Sequence, residues 1–370
     1  MKRLINGIQQ VGVGVTDARL AFAWYKKYFG FNTIVFEDKA KASLMYRYTG
    51  GEVHERYAVL AMNMQGGGGL EIWQYTSRTP AHATKATAFG DIGIFAIKIK
   101  CRDIDALYAS YSQDGTVHIV SDLATDIAGN RHFFIRDPFD NLFQLIENGY
   151  WFQDTGQLTG GVCGAMIGVK SLDESAAFYT QVLDYSVVAF KKNSGYDQVS
   201  PLQSDNRKFK NIELQHQPLF RGAFSELLGP TSIELVEAEG ETKKIFENRY
   251  WGDPGFIHVC YDVSVMEDHE GLCKLKGHPF TVNSFDSFEM GSAAGHFAYN
   301  EDPDGTLIEY VETHKVPILK SLGWYLNLRK RENNKALPRW LVKCMGFSKS
   351  NLEPIATSIS AGRASVAARA

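Results

Sequence analysis

The chain repeats one structural plan in its two halves, and this repeat constrains the fold more than any other sequence feature. Residues 10–17 alternate apolar and small or polar residues before an aromatic stretch with helical spacing, and residues 164–171 open the same plan in the second half. Residues 137–144 and 302–309 close the two copies with matching Asp-Pro turns. Repetition on this scale predicts two copies of one supersecondary arrangement.

Each half contains a smaller unit that is itself used twice. The alternation at residues 10–17 predicts a strand with one buried face, Asp17 can cap the following helix, and Gly30 can end it. Three further strands complete the unit, and the same order begins again at Gly93. The sequence therefore predicts an α+β fold with four βαβββ units. We expect consecutive units to pair, giving an N-terminal domain at 1–150 and a C-terminal domain at 161–315.

Composition restricts the class of protein. The 370 residues carry a formal net charge of −3, which gives no reason to expect nucleic-acid binding. The chain has no run of 18 apolar residues and no apolar signal core at its start, so we expect a cytoplasmic protein without a transmembrane segment. Five scattered cysteines without a C-x-x-C pair argue against a disulfide scaffold or a thiolate zinc site.

Three sets of motifs carry a family resemblance: the first-strand phrases at 10–17 and 256–261, the Leu-Glu-Ile and Ile-Glu-Leu phrases at 70–72 and 233–235, and the two Asp-Pro turns. Over residues 5–315 the chain resembles the vicinal oxygen chelate superfamily, which includes glyoxalases, bleomycin-resistance proteins and extradiol dioxygenases. The resemblance implies two glyoxalase-like domains with open, strongly curved mixed sheets. It implies one divalent metal ion on the first and last strands of paired units, but this fold hosts several unrelated reactions.

The ligand positions implied by the resemblance in the C-terminal domain are Gly164, Glu234, His258 and Glu309. The last three each lie between apolar neighbours, so each side chain should project from the opposite face of its strand. One imidazole and two carboxylates suit Fe, Zn, Mn, Co or Ni with positions left for water or substrate. The C-terminal domain is therefore the expected metal-binding half. At Gly164, where a fourth ligand is expected, either a water could bind the metal or the glycine could leave room for substrate, so Gly164 is also a candidate substrate contact.

The equivalent N-terminal positions are Gln10, Glu71, Ala96 and Gln144. They offer one carboxylate, two amides and an alanine that cannot coordinate anything. Amide oxygens are weak ligands for transition metals when no imidazole or thiolate accompanies them. We therefore expect a degenerate site in the N-terminal domain.

The Glu/His/Glu set resembles the glyoxalase and epimerase branch, in which a metal polarises a carbonyl while a carboxylate moves a proton. It implies lyase, isomerase or epimerase chemistry, with Glu309 as ligand and base, Glu234 as second ligand and alternative base, and His258 as ligand only. Two alternatives stay open. One is an Fe(II)-dependent, extradiol-type dioxygenase that uses Glu234 in place of a histidine, and the other is a non-catalytic small-molecule binding or resistance protein.

Substrate contacts are predicted from charge and position. Arg221 belongs to a long basic connection over residues 191–230, which could clamp an anionic substrate together with Arg207, Lys208 and Lys210. His296 precedes an Asp-Pro turn and could line the cleft. We expect a small-molecule substrate that is anionic or aromatic, and a monomer or homodimer.

The C-terminal segment differs from the repeated units. Apolar residues between 318 and 328 have helical spacing and are followed by a basic run, which predicts a helical extension over residues 316–350. Such a basic helix could pack against its own domain or a second subunit, or contact a membrane surface or acidic partner. Residues 351–370 are rich in Ala and Ser and are expected to be disordered.

Overall fold

The computed structural model describes residues 3–194, 208–285, 288–290, 293–319, 322–329, 331–332 and 335–347. Its α+β class and four repeated units confirm the sequence prediction. The first unit comprises β1 (Leu4–Gly14), α1 (Ala18–Phe29), β2 (Thr33–Lys41), β3 (Glu55–Met62) and β4 (Gly69–Tyr75). The second comprises β5 (Gly93–Cys101), α2 (Ile104–Asp114), β6 (His118–Ile119), β7 (Ala124–Thr125), β8 (Arg131–Arg136) and β9 (Leu142–Glu147).

The second half of the chain repeats this order. The third unit comprises β10 (Thr159–Val169), α3 (Leu172–Leu183), β11 (Ser186–Ser194), β12 (Phe209–His216), α4 (Ser225–Leu228) and β13 (Thr231–Ala238). The fourth comprises β14 (Gly255–Ser264), α5 (Met266–Leu275), β15 (Val282–Asn283), β16 (Phe288–Met290), β17 (Ala293–Glu301) and β18 (Leu307–Leu319). Within the described ranges, no helix is both long enough and apolar enough to span a membrane.

The two sheets combine units that are not consecutive in sequence. The first sheet has the order β15-β17-β18-β14-β1-β4-β3-β2 and so joins the first unit to the fourth. The second sheet has the order β11-β12-β13-β10-β5-β9-β8-β6 and joins the second unit to the third. This arrangement corrects the expected domains at 1–150 and 161–315, since each sheet draws one unit from each half of the chain.

Side-chain size at the seams accounts for this pairing. In the first sheet Gly12 lies opposite His258, and a Cβ at Gly12 would overlap the imidazole ring. The equivalent strand of the second sheet carries Met166 at that position, and Met166 shares a buried cluster with Ala96. A large residue on one strand is thus matched by a small one on its partner, and exchanging the partners would leave a clash in one sheet and a void in the other.

A continuous apolar core lies between the sheets and the helices that cover them. Two helical tyrosines bind the Asp-Pro turns across this core. Tyr25 on α1 donates a hydrogen bond to Asp137 over 2.6 Å, and Tyr179 on α3 donates to Asp302 over 3.3 Å. The predicted cap residue of α1 is confirmed, because the Asp17 side chain accepts hydrogen bonds from the first turn of the helix.

The C-terminal segment is not the uninterrupted helix expected for residues 316–350. Strand β18 continues to Leu319 and pairs with β19 (Trp324–Asn327), while the helix α6 spans only Arg339–Cys344. The apolar spacing was misleading because Trp324 is partly exposed on this ribbon and pairing with β18 outweighs helical propensity. Helix α6 does pack against the body of the protein, and the predicted disorder of 351–370 lies outside the described residues.

Candidate metal centre

Four adjacent strands of the first sheet, in the order β18-β14-β1-β4, each contribute one polar side chain to a single site. In the strand register, Gln10 lies opposite Cys260, and Cys260 lies opposite Glu309. Gly12 lies opposite both Glu71 and His258. Because paired residues and alternate residues along a strand share one face, all four polar side chains project from the same side of the sheet. They are Gln10, Glu71, His258 and Glu309.

The donor atoms of this site converge closely. The Nε2 atom of His258 lies 2.9 Å from Oε2 of Glu309 and 3.5 Å from Oε2 of Glu71. The amide Nε2 of Gln10 lies 3.4 Å from Oε2 of Glu309. One ligand atom from each of Glu71, His258 and Glu309 falls within 4.8 Å of the others. Side chains from four separate strands therefore direct their donors to one small volume.

Two buried atoms at this point have no hydrogen-bond partner among the described residues, Oε1 of Gln10 and Nε2 of His258. Buried polar atoms without partners are uncommon and costly. His258 Nε2 and Glu309 Oε2 form an ion pair when the imidazole is protonated, and with a neutral imidazole both atoms offer lone pairs that could face a common cation. An imidazole, two carboxylates and an amide oxygen suit a divalent ion of the Zn, Mn, Co, Ni or Fe type.

Neighbouring side chains orient the imidazole of His258. The Tyr299 hydroxyl lies 3.4 Å from Nδ1, so this ring nitrogen is engaged by the tyrosine while Nε2 faces the carboxylates. The absence of a side chain at Gly12 makes room for the ring against β1. Such contacts around a metal-binding histidine fix the ring orientation and select the nitrogen that is available for coordination.

The electrostatics of the site follow from burial and from the two close carboxylates. Burial and the nearby Glu309 raise the pKa of Glu71 to about 7. Burial is the largest single influence on His258 and lowers its pKa, but the Glu309 and Glu71 carboxylates together outweigh burial, so the pKa is raised. Because a metal ion binds the neutral imidazole and the ionised carboxylate, metal binding at this centre would be favoured by higher pH.

A cavity of about 350 Å³ opens over the candidate metal centre. Gln10, Glu71 and Glu309 lie at its polar end. Most of the remaining wall is apolar or aromatic and comes from the first and fourth units, from α4 and from the end of the chain. It includes Phe36, Leu60, Trp73, Phe224, Leu227, Trp251, Phe297, Val316 and Met345.

The structure separates the residues that sequence reasoning grouped together. His258 and Glu309 lie in the same centre as expected, but Glu234 lies on β13 in the second sheet. The predicted residues do lie on the expected strands, whereas the sheets pair different units from those expected. Glu71 and Gln10, which were assigned to a degenerate site, complete the centre instead. The matching sizes of Gly12 with His258 and of Met166 with Ala96 were the sequence signal that could have revealed this pairing.

In the second sheet, the ammonium group of Lys98 interacts with the carboxylates around Glu234. Lys98 is fully buried, and its Nζ lies 3.0 Å from Glu213 and 3.2 Å from Glu234. Burial lowers the pKa of Lys98, but the carboxylates of Glu213 and Glu234 together raise it by more. The net shift is upward, so the amine stays protonated. Gly164 leaves space for this lysine, because a Cβ there would lie 3.1 Å from Cδ of Lys98. Gly164 is therefore remote from the candidate metal centre.

The predicted substrate contacts are only partly brought to the cavity. His296 lines it and lies 2.7 Å from Oδ1 of Asn283. Arg221 is exposed and does not belong to the cavity wall, and Lys210 pairs with Glu237 on the second sheet. The expected basic clamp is thus replaced by the apolar residues of α4, while Arg207 lies outside the described residues.

Residues 7–145 match the model of the Glyoxalase/Bleomycin resistance protein/Dioxygenase superfamily. The four-unit fold and the matching positions of its strands agree with this result. The match covers the first two of the four units, and this part of the chain is assigned to that superfamily. No protein of curated function matches the sequence.

Two solved structures illustrate how the superfamily fold extends over the rest of the chain. Glyoxalase I from Zea mays is 16% identical, with 83% of this chain and 92% of that chain covered and a TM-score of 0.51. A putative dioxygenase from Bacillus subtilis is 12% identical, with 84% and 86% covered and a TM-score of 0.55. At these identities the similarity establishes the fold, and the reaction has to be argued from the site.

Proposed function

We propose that this protein is a divalent-metal-dependent enzyme of the lyase or isomerase type, with a single centre made by Gln10, Glu71, His258 and Glu309. The observation that supports this proposal is the convergence of ligand atoms from Glu71, His258 and Glu309 within 4.8 Å of one another, beside Gln10, whose Oε1 is buried without a hydrogen-bond partner among the described residues. When bound, a divalent ion would polarise a substrate carbonyl or hydroxyl.

The residues around the centre would divide the remaining work. Gln10 and His258 would coordinate only, because an amide is a very weak base and the two imidazole nitrogens of His258 would be occupied by the metal and by Tyr299. Glu309 remains the predicted base, and Glu71 takes the place of Glu234 as the second carboxylate. Both line the cavity, so each could exchange a proton with a bound substrate. The apolar wall would exclude water from the reacting atoms.

The donor set favours proton transfer over the dioxygenase alternative. Non-haem Fe(II) oxygenases use two histidines and one carboxylate, which leave three open positions. Here one imidazole is accompanied by two carboxylates and an amide, so fewer positions remain for both substrate and dioxygen. A purely binding protein would need no base, and the presence of two carboxylates beside the cavity supports an enzyme.

Metal analysis of untagged protein tests the centre directly. We expect about one divalent ion per chain, lost in His258→Ala but retained in Glu234→Gln, because Glu234 lies in the other sheet. Circular dichroism would check that both variants fold. Equal metal contents in the two variants, or none in the wild type after loading with Zn²⁺, Mn²⁺, Co²⁺, Ni²⁺ and Fe²⁺ in turn, would refute the proposal.

Isotope exchange tests the reaction class. A panel of α-hydroxycarbonyl compounds would be incubated with the metal-loaded protein in deuterium oxide and followed by NMR. We expect deuterium to enter at the carbon beside the carbonyl, and Glu309→Gln to stop exchange while the metal is retained. Loss of exchange in Glu71→Gln alone would assign the base to Glu71. Oxygen consumption without deuterium incorporation would instead support the dioxygenase.

A further inference from the structure

Arg56 places a buried positive charge in the wall of a mostly apolar cavity. It lies on β3, is only 5% exposed, and lines the same cavity as the candidate metal centre. A buried guanidinium is costly unless its charge and its donors are used. Arg56 is held in place by Asp38, whose backbone carbonyl and carboxylate both accept hydrogen bonds from Nη1, over 3.1 and 3.2 Å.

The guanidinium retains unused donors. Among the described residues its hydrogen bonds come from Nη1 alone, which leaves Nε and Nη2 without protein acceptors. Nε and Nη2 both keep some contact with solvent. Because Arg56 lines the cavity, these two donors can reach a ligand bound there. An arginine anchored through one nitrogen, with two donors remaining, can bind a carboxylate through its fork geometry.

The strand register locates this group relative to the candidate metal centre. On β3 and β4, Leu60 pairs with Glu71 and Arg56 pairs with Tyr75. The guanidinium contacts Asp38, and Asp38 lies opposite Ala58. The Arg56 side chain therefore extends along β3 towards Leu60, the residue that pairs with Glu71. At about 3.3 Å per residue and about 4.8 Å between strands, the guanidinium and the metal ligands are on the order of 10 Å apart.

The surface between these two points is apolar, and the charge of the cavity is favourable for an anion. Phe36, Leu60 and Trp73 lie between the Arg56 guanidinium and the candidate metal centre. Among the described residues that line the cavity, the carboxylates are Glu71 and Glu309 alone, and both would be neutralised by a divalent ion. The cations Arg56, which Asp38 balances from one side only, and the more exposed Lys41 would then be the charged side chains that remain in the wall.

We infer that the substrate is an elongated organic anion: an oxygen-bearing group at the metal end, an apolar or aromatic body, and a carboxylate bound by Arg56. This inference rests on the proposed metal-dependent function and extends it to a substrate class. It also differs from the basic clamp at Arg221, because the cation lies inside the cavity and on the first unit.

Two chelating probes of equal chain length test the anion subsite. Suberic acid monohydroxamate carries a terminal carboxylate, and octanohydroxamate carries a methyl group in its place. With Zn²⁺-loaded protein, we expect calorimetry to give about 10-fold or more tighter binding for the carboxylate probe. In Arg56→Gln the two probes should bind about equally, and Arg56→Lys should keep part of the preference. Arg131→Gln is the matched control and should retain the wild-type ratio, because Arg131 lies in the second sheet, outside the cavity wall, and pairs with Asp105.

The test separates this inference from the metal proposal. Octanoate and octanol, titrated into metal-free protein, compare an anion with a neutral molecule without any chelation. A preference for octanoate that disappears in Arg56→Gln would support the subsite even if no metal were bound. Equal binding of the two hydroxamates to the wild type would overturn the inference, as would a carboxylate preference that survives in folded Arg56→Gln.

Discussion

The two sheets of this protein carry side chains of different chemistry at equivalent strand positions. In the first sheet Gln10, Glu71, His258 and Glu309 converge with buried atoms that lack partners. At the equivalent positions of the second sheet stand Gly164, Glu234, Ala96 and Gln144, and the ammonium group of Lys98 pairs with Glu213 and Glu234. The carboxylates of the first sheet thus face a cavity, whereas those of the second sheet are neutralised by the ammonium group of Lys98.

This difference shows how a few substitutions decide whether the same strand positions form a candidate metal centre or a buried ion-pair cluster. Lys98 occupies the register position that corresponds to Cys260, since Lys98 pairs with Gln144 as Cys260 pairs with Glu309. A lysine there fills the volume between the carboxylates and supplies one positive charge, and the neighbouring glycine makes room for its stem. The second sheet is therefore expected to be structural, and the following predictions test that contrast.

The largest effect is expected at Lys98. Lys98→Met should lower the free energy of unfolding by about 3–5 kcal/mol, because Glu213 and Glu234 would be left as uncompensated buried charges. Urea denaturation measures this loss, and metal content should stay unchanged. Adding Glu213→Gln and Glu234→Gln to the same variant should restore most of the stability. A small effect of Lys98→Met would contradict the view that this lysine replaces a metal ion.

Metal binding should stabilise the protein through the first sheet and not through the second. Saturating Zn²⁺ at 100 to 1,000 times its dissociation constant should raise the free energy of unfolding by about 3–4 kcal/mol. Thermal unfolding with and without EDTA measures the difference. The same titration of His258→Ala should give no shift, while Lys98→Met should respond as the wild type does. A shift that persists without His258 would place the binding elsewhere in the protein.

A smaller difference is expected between two glutamines at equivalent strand positions of the two sheets. Gln10→Ala should weaken metal binding by about 10–100-fold, because it removes an oxygen donor from the centre. Gln144→Ala should leave the affinity unchanged, because Gln144 lies in the lysine-bearing sheet. Competition with a fluorescent chelator measures both constants. Equal losses in the two variants would indicate a general effect on folding.

The smallest effect is expected at the tyrosines that bind the Asp-Pro turns. Tyr25→Phe should cost about 1–2 kcal/mol and Tyr179→Phe less, because the first hydrogen bond is shorter and both acceptors are buried carboxylates. Burial raises the pKa of Asp137 to about 6, while Tyr25 acts to lower it. The cost of Tyr25→Phe should therefore be largest above pH 6 and shrink below it, which denaturation at several pH values would show.

Local sequence patterns were sufficient for the secondary-structure elements. The alternation around Gln10, the cap at Asp17 and the phrases that contain Glu71, Glu234 and Glu309 predicted the strands and the start of the first helix correctly. These features depend on residues close together in the chain, so they can be read without knowing the fold. The apolar spacing after residue 318 was misleading because strand pairing outweighed it.

The sequence by itself therefore determined the four units and the strand positions at which ligands could stand. Only the tertiary structure decided which units share a sheet, and hence that His258 and Glu309 meet Glu71 and Gln10 while Glu234 meets Lys98. The physical reason is that edge strands of similar units offer the same backbone hydrogen bonds to every partner. The choice between partners rests on the fit of side chains such as Gly12 and His258 across the seam.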